Sequence, residues 1–347
     1  MRSLTKPDRS PHRGTGDSVS LPRGVGMTKR LLNVALDNAV WVLLVLIALV
    51  MGLFNPLFLT LGVLQAIVSE SAVLGVVALA VAFTLLVGEI DLSVSAVLGI
   101  TAFAGGWLMI NKGVAFGLTV AVMVALGAVL GLANGFLVAK GRMNSLITTL
   151  AVLLSLQGAL LFFAQGRTII GFPDGFLWVG QAEVGSIPVL PVVVLVIYML
   201  GAFVLQRTTY GRRLYAVGGN AKAAYASGIR VDRIILSAFV ISGGLAGFAG
   251  FLLASRTGAV TSVFGSGYLL YSVAAPIIGG VSLYGGRGGV LGVLGGVLLL
   301  SIIDTGLQLA GVSAYLITMM GGLLILLAVG LDALQVRIRK GVQMGEK

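Results

Sequence analysis

Cysteine is absent from the 347-residue chain, which excludes disulfides and thiolate metal sites. The single histidine, His12, lies in a polar stretch near the N-terminus, so no imidazole serves as ligand or general base among the apolar segments. Charge is scarce. Only 10% of residues are charged, 12 acids against 23 lysines and arginines. No Gly-Lys dipeptide occurs, so there is no Walker A phosphate loop. The expectation is a chain that is not an enzyme, holds no cofactor or metal, and cannot hydrolyse ATP by itself.

What is present is apolar. Hydrophobic residues make up 58% of the sequence, and the mean hydropathy is +1.07. A soluble domain of this length could not bury so much apolar surface, so the fold class is all-α and polytopic in a membrane. A net charge of +11 would point to nucleic acid in a soluble protein. Here the positions of the charges assign them to membrane topology instead, and no nucleic-acid partner is expected.

About 20 apolar residues cross a bilayer. Ten runs qualify: 37–55, 63–88, 92–110, 114–138, 145–164, 187–206, 234–255, 268–284, 289–309 and 313–330. With ten spans, twenty lysines and arginines fall on one side and three, Lys112, Arg167 and Arg256, on the other. The positive-inside rule then puts both termini in the cytoplasm of a multi-pass cell-membrane protein. Residues 1–36 are expected to be a disordered basic tail, 37–332 a single transmembrane domain, and 333–347 a cytoplasmic C-tail.

Small residues recur at helical spacing in Gly127, Gly131 and Gly135, in Gly243 and Gly247, and in Gly288, Gly292 and Gly296. Such stripes let helix backbones approach closely. Among them is ISGGLAG, 241–247, which resembles the signature of ATP-binding cassette ATPases but sits mid-span, where it reads as packing. The outer connection 165–186 carries Phe172, Phe176 and Trp178. It reads as an aromatic belt or as a docking surface for an external partner.

The most ordered polar stretch is 207–233, with six basic residues. Gly218-Gly219-Asn220 makes a break, Asn220 is a good N-cap, Ala221 to Ser227 reads as two helical turns, and Gly228 is a C-terminal stop. A short helix on a cytoplasmic loop is a handle for another protein. Two acids lie within spans, Glu70 and Asp304, and no basic residue within a span is available to pair with them. Ser301, Asp304, Thr305 and Gln308 share one helix face, a polar stripe suited to a polyhydroxylated substrate or to bonding neighbouring helices. With Glu70 they form the candidate substrate path. In the turn GEIDLSVS, 88–95, Asp91 is placed to cap the third span, with Glu89 near its start.

Three of these stretches carry a resemblance. GEIDLSVS at 88–95, AVGGNAKAAYASGIRVDR at 216–233 and GGVSLYGGRGGVLG at 279–292 resemble, in order, signature regions of the permeases of monosaccharide ABC importers, the ribose, xylose, galactose and arabinose type. The chain differs from the usual pattern at Glu89, at Ser95, at Leu269-Leu270-Tyr271 and at Pro276. The resemblance implies a second permease subunit, identical or not, a cytoplasmic ATPase that binds ATP and Mg, an extracytoplasmic sugar-binding protein, and surrounding membrane lipid. It implies that the loop is the ATPase-coupling segment, carried by Gly218, Gly219, Asn220, Ala224, Gly228 and Asp232, and that Gly88, Glu89, Asp91 and Ser93 form a cytoplasmic turn motif. The alternatives are an ABC permease for amino acids and a proton-coupled secondary transporter, for which buried acids are the usual relay.

Overall fold

A computed structural model describes residues 39–313, 315–323, 326 and 330. The basic tail 1–36, the C-tail 333–347 and six residues of the expected tenth span, 313–330, lie outside the described residues. Among those residues, seven helices are long and apolar enough to cross a membrane. They are α2 (Leu61–Leu86), α3 (Val94–Lys112), α4 (Phe116–Ala139), α5 (Ser145–Ala164), α7 (Val189–Arg207), α10 (Val231–Thr257) and α12 (Val290–Leu309). Each agrees with an expected span to within a few residues. At 1.5 Å per residue, even the 19 residues of α3 give about 28 Å, close to the hydrocarbon thickness. Two apolar helices are shorter: α1 (Ala39–Phe54) and α11 (Tyr268–Ile278).

Helix α11 differs from the expected span 268–284. It has 11 residues, about 16 Å, or half a bilayer. Hydropathy alone hides the reason. Gly279 caps the helix, and Gly280, Gly285, Gly286 and Gly288 all take positive φ, so the chain leaves the helical region before the apolar run ends. Pro276 lies in the last turn. Residues 279–289 therefore form a glycine-rich irregular segment between α11 and α12.

Helix α2 is the axis of the core: every residue from Ser71 to Leu86 is buried. Polar groups that would otherwise be stranded there are bonded, as where Tyr198 Oη of α7 donates to the Gly75 carbonyl at 2.9 Å. The glycine stripes of α4 and α10 face each other, as expected. A Cβ on Gly127 would strike the Gly243 carbonyl, and one on Gly131 would strike that of Phe239. The third stripe is only partly helical. Gly292 and Gly296 press on Gly279 and Ala275, but Gly288 belongs to the irregular segment.

The connection 165–186 holds α6 (Asp174–Gln181) and two-residue strands. Strand β1 (Ile169–Ile170) pairs antiparallel with β4 (Ala259–Val260), and β2 (Glu183–Val184) with β3 (Ile187–Pro188). Its phenylalanines do not form a belt. Phe172 and Phe176 are buried and stacked at 4.8 Å, and Phe176 meets Phe251 of α10 edge-on at 5.2 Å. Ser255 fastens the same contact, donating to the Phe176 carbonyl at 2.6 Å and accepting from Gly180 N at 2.7 Å. Of the three aromatics, only Trp178 is exposed.

Candidate functional site: a glycine junction beneath a polar cluster

The three motif stretches, far apart in sequence, meet at one end of the bundle. The turn after α2 carries Gly88 at φ +84°, and the backbone N of Gly286 donates to the Leu86 carbonyl at 2.9 Å. Gly218 sits against both of these atoms, with no room for a side chain. Gly285 packs on Gly88 and on the Gly218 carbonyl, and Gly286 packs on Gly219. Tyr215 Oη closes the junction by donating to the Gly288 carbonyl at 2.9 Å. Backbone meets backbone in three directions, and glycine is the residue that permits it.

From this junction the 207–233 loop extends as two helices. The first, α8 (Thr209–Gly219), runs through the expected Gly218-Gly219 break and ends only at Asn220. Thr208 caps it by accepting from Gly211 N at 3.2 Å, and Gly211, Leu214 and Val217 are buried along it. The second, α9 (Ala221–Ala226), is the expected short helix. Asn220 Oδ1 accepts from Ala223 N at 3.0 Å, and Gly228 at φ +81° lets Ile229 N bond back to the Ala224 carbonyl at 3.0 Å.

The two sides of α9 differ. Ala224 is 4% exposed and packs into this chain's own core, whereas Tyr225 is 75% exposed and Gly219 has open space beyond its Cα. Ala224 therefore does not present itself to a partner, and Lys222, Tyr225 and Gly219 form the free face. Asp232 opens α10 and pairs with Lys140 Nζ at 3.0 Å and Arg142 Nη2 at 3.9 Å, tying the loop to the α4–α5 turn.

Asp91 does not cap α3 as expected, because the cap position is two residues later at Ser93 and no side chain bonds the first-turn N–H groups. Asp91 is 1% exposed. Its Oδ1 accepts from Ser93 N at 3.0 Å and Ser93 Oγ at 2.6 Å, and its Oδ2 accepts from Ser242 Oγ of α10 at 3.0 Å. Asn134 Nδ2 of α4 donates to Ser93 Oγ at 2.7 Å. Ser93 itself is the residue preceding α3. One carboxylate thus fixes the turn to α4 and α10, a long-range role that the local sequence did not indicate. Burial pushes its pKa up, against the bonds from Ser93 and Ser242. Glu89 is half-buried, and desolvation likewise raises its pKa against a hydrogen bond from Ser145.

The candidate path residues lie toward the other end. Glu70 has the partner the sequence did not reveal: Arg256 Nη2 binds its carboxylate. The pairing exists because α10 continues to Thr257, which puts Arg256 in its last turn instead of in a loop. Asp304 accepts from Tyr271 Oη at 3.3 Å, and both Tyr268 and Asp304 lie within electrostatic reach of Glu70. Glu70, Arg256, Tyr268, Tyr271 and Asp304 therefore form one polar cluster across α2, α10, α11 and α12. Ser301 is buried, Thr305 half-buried and Gln308 exposed, and no hydrogen bond joins them to the cluster among the described residues. Arg256 and the two tyrosines were missed because helix ends and half-helices are not visible in a hydropathy run.

Comparison with known proteins places this geometry. Residues 63–329 match the family model described as "Branched-chain amino acid transport system / permease component". The chain is 37% identical over 292 residues to the ribose import permease protein RbsC of Bacillus subtilis (strain 168), covering 83% of this chain and 90% of that protein. It is 34% identical over 295 residues to the D-allose transport system permease protein AlsC of Escherichia coli (strain K12), covering 85% and 90%. It is 35% identical over 278 residues to the autoinducer 2 import system permease protein LsrC of Enterobacter sp. (strain 638), covering 80% and 81%. No solved structure matches. The long apolar helices, the three-way glycine junction and these similarities lead to one assignment: the chain belongs to the branched-chain amino acid transport system / permease component family of ABC importer permeases, as a multi-pass membrane protein.

Proposed function

We propose that the chain is the membrane subunit of an importer for a monosaccharide or related polyol, driven by ATP bound with Mg in a separate cytoplasmic ATPase. The observation that carries this reading is the junction with its displayed helix. Any push on the free face of α9 reaches Gly218 within one turn, and through Gly218 it reaches the ends of α2 and the 279–289 segment. Those segments lead to the helices that hold the polar cluster. Motion at the cytoplasmic face is thereby linked to the outer half of the path. The substrates for which the three relatives are named, ribose, allose and autoinducer 2, favour a sugar-like cargo over an amino acid. In this reading a second permease subunit completes the path, and an extracytoplasmic binding protein delivers the substrate.

Ten crossings with both termini cytoplasmic remain the proposed topology, the eighth made by the short α11 together with the irregular segments at its ends. It rests on the charge asymmetry and on the grouping of the 87–93, 208–230 and 279–289 segments about one junction. Single cysteines at Lys112, Asp174 and Gly258 are expected to react with an impermeant thiol reagent in intact cells, and one at Asn220 only after permeabilisation. Labelling of Asn220 from outside would overturn the topology.

A proton-coupled carrier is the competing reading, and Asp304 separates the two. Such a carrier needs an acid that gains and loses a proton each cycle. Asparagine keeps the carbonyl oxygen that accepts from Tyr271 but cannot titrate. Asp304→Asn is expected to retain at least about half of wild-type uptake, since only one weak bond changes. That uptake should still require ATP and be indifferent to an uncoupler at fixed ATP. Complete loss in a correctly inserted permease that still binds its ATPase would favour the carrier.

A further inference from the structure

A small cavity of about 140 Å³ lies between α3, α5 and the segment 261–267 that leads into α11. Ser95, Gln157, Ser262 and Ser266 line it with polar groups, and Leu160 and Phe264 give it apolar walls. No acid or base lines it. None of the four polar side chains has a hydrogen-bond partner among the described residues. Ser95 is 1% exposed, and its Oγ is buried without a partner. By contrast, the hydroxyls of Ser71, Thr84, Thr101 and Ser272 each bond back to a carbonyl about one turn away.

The depth of the cavity makes four unmet groups unusual. Gln157 stands about 18 Å along α5 and about 10 Å short of its far end, inside the hydrocarbon thickness. Ser95 reaches that depth because the stretch before α3 runs inward along α5. Ile90 N donates to Ser145 Oγ at 3.2 Å, and Leu92 N to Thr149 Oγ1 at 3.1 Å. The segment 261–267 is irregular and presses on α3, where a Cβ on Gly99 would strike the Phe264 carbonyl and one on Gly265 that of Ser95. Within a membrane, irregular backbone and polar side chains belong where they are buried in protein or line an aqueous cavity. Burial in protein has not satisfied these four, which leaves the cavity.

The lining selects the ligand. Hydroxyl and amide groups both donate and accept, as a sugar hydroxyl does. With no charged side chain present, a zwitterionic amino acid would leave both its charges unpaired. Leu160 and Phe264 suit the C–H face of a sugar ring. The volume is several times the roughly 30 Å³ of one water.

We propose that this cavity holds the sugar in transit, with Ser95, Gln157, Ser262 and Ser266 bonding its hydroxyls. The site rests on the importer reading above and is separate from the Glu70–Asp304 cluster, which it adjoins through Tyr268.

The test uses the complete importer, expressed in cells that lack other sugar uptake. Initial uptake of labelled D-ribose, D-xylose, D-galactose, D-allose and ribitol is measured far below saturation. For the compound that wild type imports, Gln157→Leu should lower the rate at least about tenfold, and Ser95→Ala and Ser262→Ala about fivefold each. The replaced groups have no partner in the protein. Inserted permease, thermal unfolding in detergent, and co-purification of the second subunit and ATPase should therefore stay at wild-type levels. Discrimination against deoxy analogues of the cargo should fall in the serine variants, which a packing role would not change. The hydroxyl of Ser155 is already bonded to the Ala151 carbonyl at 2.8 Å, so Ser155→Ala should keep full uptake. Wild-type rates in every cavity variant, or an equal fall in Ser155→Ala, would overturn the site and leave the importer reading standing. A loss of stability matching the loss of uptake would make the four groups structural, and a loss of the second subunit would assign the cavity to the contact between permeases; either result overturns the proposal. If wild type imports none of the five compounds, the importer reading itself fails, and the site with it.

Discussion

Gly218→Val should abolish uptake, while Gly219→Val should leave the permease folded. The two positions are adjacent, yet their surroundings are opposite. A Cβ at Gly218 collides with the Leu86 carbonyl and the Gly286 nitrogen, both backbone atoms that cannot swing aside. Overpacking of this kind costs about 1–3 kcal/mol or more, and here it also breaks the Gly286–Leu86 bond on which the junction depends. Uptake should fall at least about a hundredfold, which is what roughly 2.7 kcal/mol buys at one step. At Gly219 nothing lies within van der Waals reach, so valine meets only what docks from outside. If α9 is the ATPase handle, Gly219→Val should weaken co-purification of the ATPase while inserted protein and thermal stability stay at wild-type levels. Full transport by both variants would sink the coupling assignment. Equal loss of folded protein in both would show that Gly219 is also enclosed.

Asp91→Ala is expected to destabilise the permease severely, and Asp91→Asn hardly at all. Alanine strands three donors, Ser93 N, Ser93 Oγ and Ser242 Oγ, in a fully buried site. Each buried orphan costs about 1–3 kcal/mol, so a loss of about 3 kcal/mol or more follows. Asparagine can accept both Ser93 bonds at Oδ1 and donate to Ser242, whose hydroxyl turns to receive it. The pair also carries a pH signature. Burial raises the Asp91 pKa, so the folded state holds its proton more tightly than the unfolded state. Stability from this group is fully present below the unfolded pKa and is lost as pH rises through the folded one. Asp91→Asn removes that slope and should flatten thermal stability across the acidic range, as thermal unfolding in detergent would show. A slope of unchanged size in the variant would assign it to another group, with half-buried Glu89 the first candidate.

The sequence was most informative where a signal is local. Asn220 followed eight residues later by Gly228 predicted α9 to within one residue, because a side-chain cap and a left-handed stop are both short-range devices. The seven long spans were legible for the same reason. Helix α8 was not, since the Gly218-Gly219 pair read as a break until the packing of Gly218 against backbone is seen. Arg256 escaped because its role turns on two further residues of helix. The half-length of α11 escaped because glycine does little to interrupt a hydropathy run, although it does interrupt a helix. The burial of Ala224 and Asp91 depends on partners from distant stretches, and no spacing within either motif encodes that. In the candidate path, Glu70 and Asp304 were found as isolated acids, and only the fold joined them through Arg256 and two tyrosines.

The seam between α4 and α10 has a mechanical consequence. Where Gly127, Gly131, Gly243 and Gly247 bring two backbones into contact, there are no interdigitated side chains to slip from one notch to the next. The two helices are then obliged to travel as a single strut through any transport cycle. Compliance has to reside elsewhere, and the short α11, with irregular glycine-bearing segments at both ends, is the natural hinge.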